Sequence, residues 1–152
     1  MITEDFIAGF TEGEGCFALT LRRDVRHERP GSPTYYSWKS AFVIVLREDD
    51  ADLLQKIRGF FNCGRVNFTK TGAVRYEISN LEELKEKIVP FFEKYPLQGK
   101  KKYVFNLWKD AVEILLKYKK QQKIVERGKR GFINTDWDQK DIERMLIIHA
   151  KM

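Results

Sequence analysis

Ile7-Ala8-Gly9-Phe10-Thr11-Glu12-Gly13-Glu14-Gly15-Cys16 places small residues on one face of a helix and then delivers a carboxylate at the helix end. Gly9 and Gly13 stand four apart, so they share a face that carries no side chain to hold a neighbouring helix away. Each glycine weakens a helix interior by about 1 kcal/mol relative to alanine. A second helix packed backbone to backbone would offset that loss. If the second helix came from another copy of the chain, two Glu14 carboxylates would meet near a two-fold axis.

The flanking residues extend this helix backward and stop it forward. Thr3, followed by Glu4 and Asp5, predicts the helix start, with a capping hydroxyl and two acids at the positive terminus. After Gly15, Phe17, Leu19 and Leu21 alternate with Ala18, Thr20 and Arg22, the two-residue period of a strand with one buried and one open face. The breaker-rich segment Arg29-Pro30-Gly31-Ser32-Pro33 separates it from an aromatic and β-branched run, 35–46, which predicts a long hairpin. Asp49 and Asp50 open a second helix with Leu53, Leu54, Ile57, Phe60 and Phe61 at helical spacing. Strands follow at 65–70 and 73–79 around Thr71-Gly72, and Ser79 or Asn80 caps a third helix that Pro90 is expected to kink or end early. The order is αββαββα, with a further long helix through Val104, Trp108, Val112 and Leu116, and a last one starting at Asp136 or Asp138. The expected fold class is α+β: one antiparallel four-stranded saddle sheet, helices on a single face, and added C-terminal helices.

The opening run resembles the LAGLIDADG motif, residues 7–15 occupying its nine positions in order, and the αββαββ order is similar to that of the LAGLIDADG homing endonucleases. The resemblance spans about residues 3–117, with 118–152 as a helical extension of one domain covering 1–152. Only one copy of the motif is present, which implies the homodimeric type, with Ala8, Gly9, Glu12 and Gly13 at the dimer interface. It implies a site-specific, metal-dependent, double-strand DNA endonuclease acting on a long pseudo-palindromic site, cutting across the minor groove and leaving 3′ overhangs. An intron RNA-binding splicing cofactor of the same fold is the alternative, and intron RNA the alternative partner.

Hydrolysis of a phosphodiester needs an activated water, charge stabilisation on the phosphate oxygens and a stabilised leaving group, much of which divalent metals supply. Mg²⁺, or Mn²⁺ in its place, takes oxygen ligands and keeps several waters, so one carboxylate with backbone carbonyls and phosphates suffices. Glu14 is the expected catalytic metal ligand, its position at a helix C-terminus being suited to holding a cation, and the resemblance adds the Gly13 carbonyl. A glutamate where the motif commonly has aspartate lengthens the arm by one methylene. The resemblance also implies an active-site lysine just before the late helix: Lys100 matches best, Lys102 is the alternate, and Lys101 lies between them. Where the family often carries a glutamine at the end of the second strand, this chain has Leu46, and Arg47 is the nearest polar substitute.

A twisted sheet with an open polar face can lie along the major groove. Parity then assigns base reading to Thr20, Arg22, Asp24 and Arg26 in the first strand, Ser37 and Lys39 in the second, Asn67 and Thr69 in the third, and Arg75 and Glu77 in the fourth. Arg47 and Lys70 join them at the rim.

Composition agrees with a polyanionic partner. Lys and Arg outnumber Asp and Glu by 28 to 22, giving +6 per chain, and a dimer doubles that. The excess is concentrated between residues 98 and 131, where eleven basic residues face three acids, and Lys117, Lys119, Lys120, Lys123, Lys129 and Arg130 are expected to meet backbone rather than bases. Two cysteines, Cys16 and Cys63, are too few for a disulfide framework or a metal knuckle. With no apolar run near bilayer length and no signal-peptide pattern, a soluble intracellular protein is expected, in a prokaryotic cytoplasm or an organelle matrix, with no membrane partner.

Overall fold

Thr3 opens the first helix by accepting the Phe6 N–H at 3.3 Å, with Glu4 and Asp5 in the first turn. The computed structural model describes residues 1–24, 35–122 and 137–152. In chain order the elements are α1 Glu4–Glu14, β1 Gly15–Asp24, β2 Tyr35–Arg47, α2 Ala51–Phe61, β3 Arg65–Phe68 and β4 Ala73–Ile78. These are followed by α3 Leu81–Glu83, a π turn Leu84–Ile88, α4 Val89–Lys94, α5 Lys100–Gln122 and α6 Gln139–Lys151.

Helix α1 passes into β1 with no intervening loop, and Gly15 makes that possible. A Cβ at Gly15 would lie 2.5 Å from the Thr11 methyl and 3.0 Å from the Thr11 carbonyl oxygen, so only a glycine fits where the chain leaves the helix. Its N–H closes the helix on that same carbonyl.

The sheet order is β1-β2-β4-β3 and every neighbouring pair is antiparallel. Phe17 and Leu19 of β1, Phe42 and Ile44 of β2, and Val74, Tyr76 and Ile78 of β4 point to the helix-covered face and are buried. Phe17 sits at the centre, its ring 5.0–5.5 Å from those of Phe42, Phe92, Phe105 and Trp108. Trp108, fully buried, donates its indole N–H to the Ala18 carbonyl at 3.2 Å and so ties α5 to β1. The α+β fold with helices on one side of a four-stranded antiparallel sheet is the one expected.

The third helix departs from expectation. Pro90 does not end it, because the preceding turn widens: the Val89 N–H bonds to the Leu84 carbonyl, five residues back. A π turn just before the proline moves the backbone where its missing N–H would break an α-helical ladder, and the helix continues to Lys94.

The C-terminal extension docks on the domain. Met145 and Ile148 of α6 pack with Leu107, Ala111 and Leu115 of α5 and with Leu19 in a second apolar cluster. Trp137 stacks on Tyr118 with centroids 4.3 Å apart, and Tyr118 donates to Asp141 at 2.6 Å. Lys117 pairs with the same carboxylate and Arg144 with Asp110, so hydrogen bonds from Lys117 and Tyr118 hold Asp141 below the usual carboxylate range. Among the described residues, no helix is long and apolar enough to cross a membrane.

Candidate active site and the open sheet face

Glu14, the last residue of α1, is exposed and has no side-chain partner among the described residues. The face beside it is equally open. A Cβ at Gly9 or Gly13 would meet nothing within 4 Å, and Phe6 on the same side is 45% exposed and stacked on Phe10. The opposite face, Ile7 and Thr11, is fully buried against the domain. Among the described residues, a small-residue strip flanked by an exposed aromatic is therefore left without a covering element.

The two remaining candidate groups of this region separate by role. Glu12 turns toward its own chain: its carboxylate accepts the Gln98 N–H at 3.0 Å, just before α5, and a Cβ on Gly99 would lie 2.7 Å from it. It thus acts as a capping acid within the chain, and the negative charge complements the positive start of α5. Lys101 returns the contact, donating to the Thr11 carbonyl at 2.9 Å, one of the terminal carbonyls of α1. An acid of α1 serves the start of α5, and a lysine of α5 serves the end of α1. Lys101 is half-buried in this junction, whereas Lys100 and Lys102 on either side are exposed and unpaired among the described residues. Three lysines at a helix start that has no acid in its first turn oppose the helix dipole, an arrangement suited to an anion.

The sheet register places the assigned readers on one face. Thr20 lies opposite Lys39 and Arg22 opposite Ser37; Asn67 lies opposite Arg75, which lies opposite Val45. Asp24 is the last residue of β1 in the same parity, and Arg26 lies outside the described residues. Thr69 and Lys70 fall in the turn after β3, which is shorter than expected. The Thr69 hydroxyl is within 3.1–3.2 Å of the Ala73 backbone and 2.9 Å of the Thr71 hydroxyl, so it shapes the hairpin rather than standing free. Leu46, at the glutamine position of the family pattern, pairs with Val74 on the helix-covered face and packs half-buried against the core. Arg47 is on the open face, exposed and 3.2 Å from Asp49.

Glu77 is the least exposed of these readers. Its two oxygens accept from Lys39 at 2.5 Å and from Arg75 at 2.8 Å, and its side chain is 12% exposed. Burial pushes its carboxyl up, but the two hydrogen bonds and the two positive charges outweigh burial and hold it below its ordinary value. Arg65, directly opposite Glu77 in register, is exposed on the same face and was missed by sequence reading. The alternation Arg65, Asn67, Thr69 already carried that signal.

The late lysines are largely engaged elsewhere. Lys109 pairs with Glu93, Lys117 with Asp141 and Lys119 with Glu82, on the helical layer away from the open face. Lys117 and Lys119 thus have acidic partners within the chain. Lys123, Lys129 and Arg130 lie outside the described residues, as does the side chain of Lys120.

A glycine-notched helix that ends in a free carboxylate, runs straight into a four-stranded sheet and abuts a lysine-bearing helix start defines a known class. The LAGLIDADG endonuclease family profile matches residues 7–112, and the chain belongs to that family. Among individual relatives, it is 29% identical over 120 residues to "Probable intron-encoded endonuclease 2" of Neurospora crassa, covering 78% of this chain and 25% of that protein. It is 26% identical over 101 residues to "Probable intron-encoded DNA endonuclease 1" of Mycosarcoma maydis, covering 66% of this chain and 34% of that one. The chain thus spans a quarter to a third of these curated relatives. Among solved structures, the homing endonuclease I-TnaI superposes with a TM-score of 0.74 at 26% identity, over 99% of this chain and 88% of that one. The meganuclease I-CpaMI, solved bound to uncleaved DNA, shares the fold with a TM-score of 0.76 at 22% identity, over 100% of this chain and 44% of that one.

Proposed function

We propose that the chain is a site-specific, metal-dependent endonuclease that cuts both strands of duplex DNA as a homodimer. The site is long and nearly palindromic, because two sheets extend in opposite directions from the axis, and cleavage falls across the minor groove at its centre with 3′ overhangs. The observation that carries this reading is the open Gly9–Gly13 strip ending in an unpartnered Glu14. The Neurospora and Mycosarcoma relatives are both named as endonucleases, which supports nuclease action over the RNA-splicing alternative. The same names support a protein that works inside the cell where mobile introns reside.

The donor set suits a hard divalent cation only if the site is shared. Among the described residues no cluster of three His, Cys, Asp or Glu side chains exists within one chain. One carboxylate, Glu14, and the backbone carbonyl of Gly13 stand at the helix end. Two copies would give two carboxylates and two carbonyls that would hold Mg²⁺ or Mn²⁺, cations that take oxygen ligands. Bound there, such a cation supplies an activated water and charge neutralisation at the phosphate.

The chain's own residues do the rest. Glu12 and Lys101 fix the start of α5, which carries Lys100 and Lys102, against the last turn of α1, which ends in Glu14. Either exposed ammonium stabilises the extra negative charge that develops on phosphate oxygens in the transition state. The open sheet face fixes the register on the duplex. Glu14→Gln removes the anionic ligand and keeps the shape of the side chain. Incubated with target duplex and Mg²⁺, this variant is expected to bind specifically and leave both strands intact; nicking at the wild-type rate would reject Glu14 as the ligand.

A further inference from the structure

The open face carries an acid, Glu77, between two cations, and its placement is unusual for a surface meant to meet a polyanion. A carboxylate facing phosphate is repelled, and an exposed acid there would weaken binding to every sequence alike. Glu77 is not exposed in that way. Both of its oxygens are occupied, one by Lys39 from β2 and one by the Nε–H of Arg75 from its own strand, with Arg65 of β3 opposite in register. Using Nε leaves the terminal nitrogens of Arg75 without a partner among the described residues. Those are the donors that form a fork onto guanine O6 and N7.

We propose that Glu77 is a specificity-determining residue: it anchors Arg75 and Lys39 in fixed reading positions and cancels part of their charge, so this part of the face discriminates bases instead of gripping any duplex. This rests on the reading of the open face as the DNA surface. An anchored guanidinium loses less freedom on forming its base contact than a free one. A free lysine would swing to the nearest phosphate, adding sequence-independent affinity and about one unit to the salt slope.

Glu77→Gln is nearly isosteric and removes the charge. Two probes report the effect without cleavage, both measured with Ca²⁺ in place of Mg²⁺: fluorescence anisotropy on a random-sequence duplex across a salt series, and selection from a randomised duplex pool followed by sequencing. Relative to wild type, Glu77→Gln is expected to bind the random duplex about 3- to 10-fold more tightly, with a salt slope steeper by about one per chain, and to lose base preference at one or two adjacent positions. Glu77→Asp keeps the charge on an arm too short to hold both cations. It is expected to lose the same preference with a smaller rise in salt slope than Glu77→Gln, because the negative charge is kept, and it preserves the test if the glutamine variant fails to fold. Wild-type selectivity and salt slope in both variants would overturn the role of Glu77 alone. Failure of the wild-type chain to bind any duplex would instead overturn the DNA reading, and this inference with it.

Discussion

Thr11 shows how much one side chain can settle at this junction. Its carbonyl takes both the Gly15 N–H and the Lys101 ammonium, its methyl excludes any residue but glycine at position 15, and it is fully buried. The lysine triplet could be read as a cluster from sequence. Its division into one junction residue and two free cations could not, because the partner of Lys101 lies ninety positions earlier in the chain. Lys101→Met is therefore expected to destabilise the fold by about 1 kcal/mol in urea denaturation, the scale of a hydrogen bond to a charged donor at a partly exposed site. Lys100→Met and Lys102→Met should leave the midpoint unchanged, and the one that abolishes cleavage identifies the active-site lysine. Glu77 gives a pH signature at the same scale. Its folded pKa lies below the ordinary 4.5, so its stabilising contribution is complete above that value and is lost as pH falls through the folded one. The stability difference between wild type and Glu77→Gln should be constant from pH 7 to about 5.5 and shrink on titration toward pH 3, followed by thermal melting.

Elements were more legible than their contacts. The two-residue alternation of β1 and the β-branched run of β2 predicted both strands and the face each residue takes, because one face is buried and parity follows from the pleat. The same logic reached β4 but overran β3, where Thr69 leaves the ladder to bond the hairpin turn. Pro90 misled for a different reason: a π turn is a tertiary accommodation that hydrophobic spacing does not reveal. The passage from α1 to β1 is the element-level feature with the sharpest consequence. Gly15→Ala would place its Cβ against the Thr11 methyl and carbonyl, so the helix end must shift, at a loss of about 1–3 kcal/mol. A melting temperature equal to that of wild type would show that the junction relaxes freely.

At the scale of the molecule, charge and docking divide the surface in two. The helical layer neutralises its lysines against Glu82, Glu93, Glu113 and Asp141, with Lys85 pairing Glu113, while the open sheet face keeps Arg22, Arg65 and Arg47 exposed. Net charge alone pointed to a polyanion but not to which lysines are already paired within the chain, since composition counts charges and not their partners. The docking of α6 was likewise hidden: Ile142, Met145, Leu146 and Ile148 marked a helix but not the surface it would cover. Among the described residues nothing covers the α1 strip, and it bears the central claim that two chains join through Gly9 and Gly13 to bring two Glu14 carboxylates together. Gly13→Leu isolates that claim, because a Cβ there meets nothing within 4 Å among the described residues and leucine favours the helix more than glycine does. Sedimentation equilibrium of wild type and Gly13→Leu, each alone and with target duplex, is the most direct measurement. Twice the chain mass for wild type and a single folded chain for the variant is the predicted result; a wild-type chain that stays single on DNA, or a variant that dimerises as well as wild type, would contradict it.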